Sequence, residues 1–310
     1  MEVAHLDIVI VNWNSGSQLR ACLESIAHTS REGFVLDSVV VVDNASQDGS
    51  ANGLDGIAIP LSLISNRENR GFAAACNQGA AGGSADYLLF LNPDVRLFHD
   101  SLSKPLTHME RPENKNIGIS GIQLLNDNNE IGRSCARFPT LKQYLSKMLG
   151  LDLMFPSIFP SHFMKEWDHK NSMVVDQVMG AFFLVRRSLF ENLGGFDERF
   201  FVYYEEVDFS LRARKRGSFS FYFAEARAYH KGGGVSDVIK ATRLFYSLRS
   251  RIQYGYKNFG LFSATILAIG TMFLEPFTRL IFSALKLSGR EMVQTVTGYM
   301  MLWRYLPHLF

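Results

Sequence analysis

Cysteine is scarce in this 310-residue chain: Cys22, Cys76 and Cys135 are scattered, with no paired spacing. That excludes a disulfide framework and a structural zinc site and fits a reducing compartment. Charge of one sign is also scarce. The formal net charge is +2, too little to argue for a nucleic-acid partner. There is no internal repeat and no low-complexity tract. The amino terminus carries Glu2 and Asp7 and lacks a basic stretch, so no signal peptide is expected. No uninterrupted apolar run reaches the roughly 20 residues of a membrane span. What is present is 47% hydrophobic and 20% charged, the make-up of an ordinary folded core, at a length that holds one large domain with an appendage or two domains.

The first half alternates regularly. Leu6 to Val11 reads as a strand, and Ser15 to Ala27 as a helix with Leu19, Cys22, Leu23 and Ile26 at helical spacing and Ser15 or Ser17 as N-cap. Val39 to Val42, Leu61 to Ile64 and Tyr87 to Leu91 are further strands, with an alanine-rich helix over Gly71 to Gly79. This spacing predicts an α/β fold: a mostly parallel, Rossmann-like central sheet with helices on both faces.

Past Ile117 the pattern changes. Ile117 to Leu125 and Ile131 to Ala136 suggest a hairpin around Asn126 to Asn129. Leu149 to Asn171 reads as an irregular excursion. Order returns over Val174 to Arg186, and Phe209 to Lys215 reads as a helix before the strand Phe219 to Tyr229. The expected division is a catalytic domain over 1–236 and a helical extension over 237–310. Within that extension, Asp237 to Phe259 is amphipathic, and the run Leu261 to Leu274 is expected to end at Glu275-Pro276. Aromatic-rich apolar faces flanked by Lys and Arg suit peripheral contact with a membrane. A helical hairpin packed on the catalytic domain fits as well.

The chemistry gathers at strand ends. Asn92-Pro93-Asp94 follows the apolar strand Tyr87 to Leu91. Proline ends the ladder because it has no N–H, and the carboxylate is delivered to the crevice where open α/β sheets bind ligands. Asp43 ends a second strand and could meet a pyrimidine or ribose, or simply close an Asx-turn. Asn12 and Asn14 end the first strand with the same ambiguity. Asn69 and Arg70 open a helix whose free N–H groups attract phosphate. One carboxylate holds Mg or Mn only with a further ligand nearby. His230, preceding Gly232-Gly233-Gly234, is the candidate. Glu205-Glu206-Val207-Asp208 emerges from an aromatic run. Crowded, desolvated carboxylates have raised pKa values, as a general base near neutrality requires.

Together these strings resemble glycosyltransferase family 2, in particular bacterial cell-surface rhamnosyltransferases. The matching segments are Val11 to Ser15, Val42 to Ser50, Asn69 to Ala73 with Asn77, Leu91 to Val95, Gly180 to Arg187, Gly194 to Glu198 and Tyr204 to Asp208, with His230, Gly233 and Ser236. The resemblance implies an A-type glycosyltransferase fold, a divalent metal (Mg or Mn) and an inverting single displacement. It implies Asn12, Asn14, Asp43, Asn69, Arg70, Asn77 and Asn92 on the nucleotide-sugar side, Asp94 and His230 at the metal, and Gly180 and Asp208 on the acceptor side. The base falls on Glu206. The family pattern has Glu then Asp there, so Glu205 and Glu206 both stand as candidates. Asn92 replaces the first acid of the metal motif.

The implied donor is a nucleotide-sugar, with dTDP-L-rhamnose foremost, and the acceptor a saccharide or lipid-linked saccharide. The implied place is the inner, cytoplasmic face of the membrane. Transfer to polyprenyl phosphate is one alternative, and a non-catalytic glycan-binding scaffold of the same fold is another. A nucleotidyltransferase would want a glycine-rich basic loop after the first strand, which Asn12-Trp13-Asn14-Ser15 is not.

Overall fold

The computed structural model describes residues 3–232 and 240–308. Gly233, Gly234 and Ser236, and the boundary expected at 236, lie outside the described residues. Of those described, 3–137, 167–198 and 205–232 form one compact unit, and 138–166, 199–204 and 240–308 form a second. The helical unit therefore takes in two earlier segments of the chain besides the carboxyl-terminal one.

Eleven strands are present among the described residues: β1 (Ala4–Asn12), β2 (Phe34–Asp43), β3 (Leu61–Ser65), β4 (Tyr87–Leu91), β5 (Val95–Leu97), β6 (Ile117–Leu125), β7 (Cys135–Ala136), β8 (Met173–Val175), β9 (Gln177–Val178), β10 (Phe182–Arg186) and β11 (Phe219–His230). The main sheet runs β3-β2-β1-β4-β10-β6-β11-β5, with β8 beside β11. β1 to β4 pair in parallel. β10 is antiparallel to both of its neighbours. β4 is buried at every position, as a continuous apolar run in a covered sheet should be.

Helices Gln18–Ala27 and Phe72–Ala80 lie against opposite faces, the first with Leu6, Ile8 and Ile10, the second with Val9 and Val11. A β-carbon added at Gly79 would lie 2.5 Å from Val9 Cγ1, so glycine lets this helix approach the sheet closely. Phe90, Phe183, Phe190, Phe196 and Phe209 form a cluster with ring centroids 4.9–5.8 Å apart. Such pairs add about 0.5–1.5 kcal/mol each beyond area burial. Through Phe209 the cluster anchors the helix Glu205–Lys215, which starts at the paired acids, earlier than the sequence pattern suggests.

Three expectations change. Ser17 takes the N-cap position without a side-chain bond, and Ser15 donates to Asn12 instead. The hairpin is only partly formed. β6 joins the main sheet and keeps a single bridge from Leu125 to Ile131, while β7 pairs with β9. Glu275-Pro276 does not end the helix. Helical structure continues through Leu261–Leu285, with a π-turn over Gly270–Leu274. Proline follows just after the π-turn, and the Met272 carbonyl, which the proline nitrogen cannot serve, accepts from Trp303 Nε1 at 3.4 Å.

In the second unit, Phe245, Leu248, Ile252, Tyr299 and Leu302 make the core. Glu275 is 4% exposed. Burial alone would raise its pKa. Arg251 at 2.7 Å and Arg279 at 2.7 Å hold it below the ordinary carboxylate range. An acid in an apolar helix is tolerated here because two guanidinium groups neutralise it.

Candidate active site

β1 and β2 end side by side, Asn12 opposite Asp43 in register. The Asn12 amide is fully buried and donates to Asp43 Oδ1 at 2.8 Å and to Ser50 Oγ at 2.9 Å. Asp43 Oδ2 accepts from the Ser46 N–H at 3.3 Å. Asn14, at φ 50°, accepts from the Gln47 N–H at 2.7 Å and donates its own N–H to Ser46 Oγ at 2.9 Å. Left-handed backbone is tolerated by asparagine better than by most residues. Asn12 and Asn14 thus lace two strand-end loops together, with Asp43 at the seam.

Asn44 is a residue that strand-end reasoning passed over. Its amide donates to Asn69 Oδ1 at 2.8 Å and to the Gly71 carbonyl at 3.1 Å. Its oxygen accepts from the Arg70 N–H at 3.0 Å and from Asn66 at 3.1 Å. All its bonding capacity goes to pinning the loop before helix Phe72–Ala80. Asn69 is spent in the same turn, accepting from the Gly71 N–H at 2.9 Å. Arg70 is held by its backbone, and its side chain is exposed. The signal was available, since Asn44 directly follows Asp43.

Asp94 and His230 meet. β5 runs antiparallel to the end of β11, with His230 opposite Val95, and the Lys231 N–H donates to the Asp94 carbonyl at 3.3 Å. His230 Nε2 then lies 3.4 Å from Asp94 Oδ1, each side chain 15% exposed. Residues 136 positions apart are joined by one strand pairing. No group of three or more His, Cys, Asp or Glu able to hold a metal occurs among the described residues. A carboxylate and an imidazole are nonetheless a suitable donor pair for Mg or Mn, which complete their shells with phosphate oxygens and water. Asn92 lies beside them, its N–H donating to the Ala181 carbonyl at 3.0 Å. A β-carbon at neighbouring Gly180 would meet nothing within 4 Å, so this backbone borders open space.

The paired acids differ. Glu205 is 4% exposed. Burial, and next the charge of Glu206, push its carboxyl well above the usual range. Glu206 is half-buried. Tyr203 and Tyr204, immediately before them, both have positive φ, 68° and 75°. For bulky side chains that is backbone strain, which tends to cluster at functional positions.

Two expected site residues turn out to brace the framework. Asn77 accepts from the Phe196 N–H at 2.9 Å and donates to the Phe196 carbonyl at 2.9 Å. A β-carbon on Gly195 would come within 2.6 Å of its Oδ1. Its amide is thus engaged by the turn around Phe196. Asp208 is fully buried and accepts from Arg212 Nε at 2.7 Å, while that guanidinium donates to the Leu193 and Gly195 carbonyls at 2.8 and 2.9 Å. Buried and ion-paired, Asp208 fixes the same turn and presents no surface to an acceptor.

A cavity of about 880 Å³ lies at the other end of the strands, beside Ala4, Tyr87 and Arg187. Its charges are matched, Arg187 to Asp7 at 2.6 Å and His5 to Asp37 at 2.8 Å. The polar strand ends are elsewhere, so it is not the candidate site.

Residues 7–194 match the model of glycosyl transferase family 2. The chain is 34% identical over 172 residues to rhamnosyltransferase WbbL of Escherichia coli K12, covering 54% of this chain and 61% of that one. It is 27% identical over 241 residues to N-acetylglucosaminyl-diphospho-decaprenol L-rhamnosyltransferase of Mycobacterium tuberculosis H37Rv, covering 73% and 75%. Among solved structures, a mannosyltransferase from Pyrobaculum calidifontis in complex with GDP-Man and Mn2+ aligns with TM-score 0.56 at 14% identity, covering 97% of this chain and 86% of that one. The S. aureus TarS 1–349 structure in complex with UDP-GlcNAc aligns with TM-score 0.55 at 15% identity, covering 95% and 79%. At such identities these likenesses speak for the fold, an A-type glycosyltransferase sheet with helices around it. The family match covers more than half of the sequence: this chain belongs to glycosyl transferase family 2.

Proposed function

We propose that the protein transfers a sugar, L-rhamnose from dTDP-L-rhamnose, to a hydroxyl of a lipid-linked saccharide at the cytoplasmic face of a membrane. The donor sugar is supported by the names of the two relatives, both rhamnosyltransferases. The acceptor class is supported by the diphospho-decaprenol in the second name. The observation that carries the reading is the 3.4 Å approach of His230 to Asp94 at the carboxyl rim of the sheet.

Asp94 and His230 are the residues that would hold a divalent metal. When bound, that cation supplies charge neutralisation to a departing diphosphate. Asp43 and the loops that Asn12, Asn14 and Asn44 tie together form the nucleoside side, and Arg70 offers a cation at its rim. Glu206 takes the proton from the acceptor hydroxyl as that oxygen attacks the anomeric carbon from the face opposite the diphosphate. Burial and the charge of Glu206 disfavour the Glu205 anion, which favours the half-buried Glu206 as the acid that takes the proton. Of the two candidates, Glu206 is proposed as the base.

The test is release of free nucleoside diphosphate from dTDP-L-rhamnose with Mn present and with EDTA, in wild type and Asp94→Ala. EDTA and Asp94→Ala should each abolish release while the melting curve is unchanged. Near-wild-type turnover of Asp94→Ala would sink the metal assignment. Turnover with another nucleotide-sugar alone would sink the donor.

A further inference from the structure

Arg199–Tyr204, the stretch of the second unit that runs directly into Glu205, is held along one face of a single helix, Lys240–Asn258. The Lys257 ammonium lies 5.8 Å from the centre of the Phe200 ring, and the Tyr246 ring stacks on Phe201 at 4.7 Å and 11°. Ser250 Oγ donates to the Val202 carbonyl at 2.8 Å, and Arg243 Nε donates to the Tyr203 hydroxyl at 3.1 Å. The Tyr254 ring lies 5.4 Å from that of Tyr204, whose hydroxyl accepts from the Tyr144 hydroxyl at 2.9 Å. Arg243, Tyr246, Ser250, Tyr254 and Lys257 recur at intervals of three or four residues, so they form one stripe of the helix. Every residue from Phe200 to Tyr204 has a partner on that stripe.

The clasp holds a strained backbone. Tyr203 and Tyr204 stand at φ 68° and 75°, a region that glycine enters freely and bulky side chains avoid. Glycine fills such a turn at Gly194 and Gly195, at φ 73° and 74°. Tyrosines stand before Glu205 instead, and their hydroxyls and rings are what Arg243, Tyr254 and Tyr144 hold. Strain of this kind persists only where the surroundings over-determine it, and it clusters at functional positions. Ordinary extended backbone would serve a segment that only ties the chain down. What this turn fixes is the entry into helix Glu205–Lys215, whose second residue is Glu206.

On the reading that Glu206 is the base, we propose that this stripe is a positioning device for the proton acceptor. Arg243, Ser250 and Tyr254, with Tyr144, act through Val202, Tyr203 and Tyr204 to fix the backbone from which the Glu206 side chain projects. They are positioning residues; the proton itself goes to Glu206. A catalytic group displaced by about 1 Å can lose about 10²-fold in rate, so a rigid entry is worth its strain.

The test is steady-state release of nucleoside diphosphate from dTDP-L-rhamnose by the full-length protein carrying Arg243→Leu with Ser250→Ala. Its kcat should fall by about 10- to 100-fold, while the KM for donor stays within about twofold. Arg243→Lys, which keeps a donor beside Tyr203, should recover part of what Arg243→Leu loses. Tyr204→Gly should lose kcat as well, although glycine relieves the backbone. A double-mutant cycle with Glu206→Gln decides the route: once the base is gone, releasing the clasp should cost nothing further. Additive losses, an unchanged kcat in the clasp variants, or a loss confined to KM overturns the proposal. Leu302→Ala weakens the core of the same unit and should leave kcat per folded molecule at the wild-type value; an equal fall there also overturns it. The two readings fail separately. Turnover retained by Glu206→Gln overturns the base, whereas an inactive Glu206→Gln beside fully active clasp variants overturns the clasp alone.

Discussion

Glu205 in the sheet-bearing unit and Glu275 in the helical unit are equally buried, each 4% exposed. Their fates are opposite. Glu205 faces another carboxylate and is driven towards its neutral form. Glu275 faces two arginines and is held as an anion. Burial alone does not decide the charge of an acid; the sign of its neighbours does. One unit sets two carboxyls side by side, and the other sets Glu275 between two guanidinium groups.

The largest effect that could break this contrast is on catalysis. Glu206→Gln should cost about 10²–10⁴-fold in turnover, whereas Glu205→Gln, at an acid whose anion burial disfavours, should stay within about tenfold. Steady-state assays of the two variants decide it, and equal losses would erase the distinction between the two acids. Next comes stability. Glu275→Ala leaves Arg251 buried without its partner and should destabilise by about 3–5 kcal/mol in denaturant unfolding. Glu205→Gln should be neutral or stabilising near pH 7.

A smaller effect is the pH dependence, which should run in opposite directions. Glu205 has a raised folded pKa, so above its ordinary value of 4.5 only the unfolded chain releases the proton. Stability then falls with rising pH by up to about 1.4 kcal/mol per unit, and Glu205→Gln should remove that slope. Glu275 has a lowered folded pKa, so its contribution is present above 4.5 and lost on acidification. His162 adds to the acid-side loss. Burial, then Lys147 and Arg251, lower it from 6.5 to about 3, and the unfolded chain takes up its proton first as pH falls between those values. Unfolding midpoints measured across pH should show both limbs. Smallest is the brace: Asn77→Ala should cost about 1–3 kcal/mol through the unpaired Phe196 backbone groups, with turnover per folded molecule nearly kept.

Much of the fold was legible because period and punctuation act locally. Tyr87 to Leu91 and the strand ends at Asn12, Asp43 and Asp94 follow from apolar runs stopped by polar residues and Pro93. The roles of Asn77 and Asp208 were not legible. An asparagine on a helix and an acid in a cluster look identical in sequence whether they face a ligand or the turn over Leu193 to Phe196. Glu275 was read as a helix end because an isolated carboxylate beside proline is expensive in an apolar run. Its neutralisation comes from Arg251, 24 residues away.

The sequence by itself determined the alternation of strand and helix, the family and the residue types gathered at the strand ends, since hydrophobic period and motif spacing are properties of neighbouring positions. Only the tertiary structure decided that His230 reaches Asp94, that Glu205 faces a carboxylate while Glu275 faces two arginines, and that Asn77 and Asp208 are bonded to the turn over Leu193 to Phe196. Those outcomes depend on distance and desolvation between remote segments, and the β5–β11 pairing and the burial of each carboxyl set both.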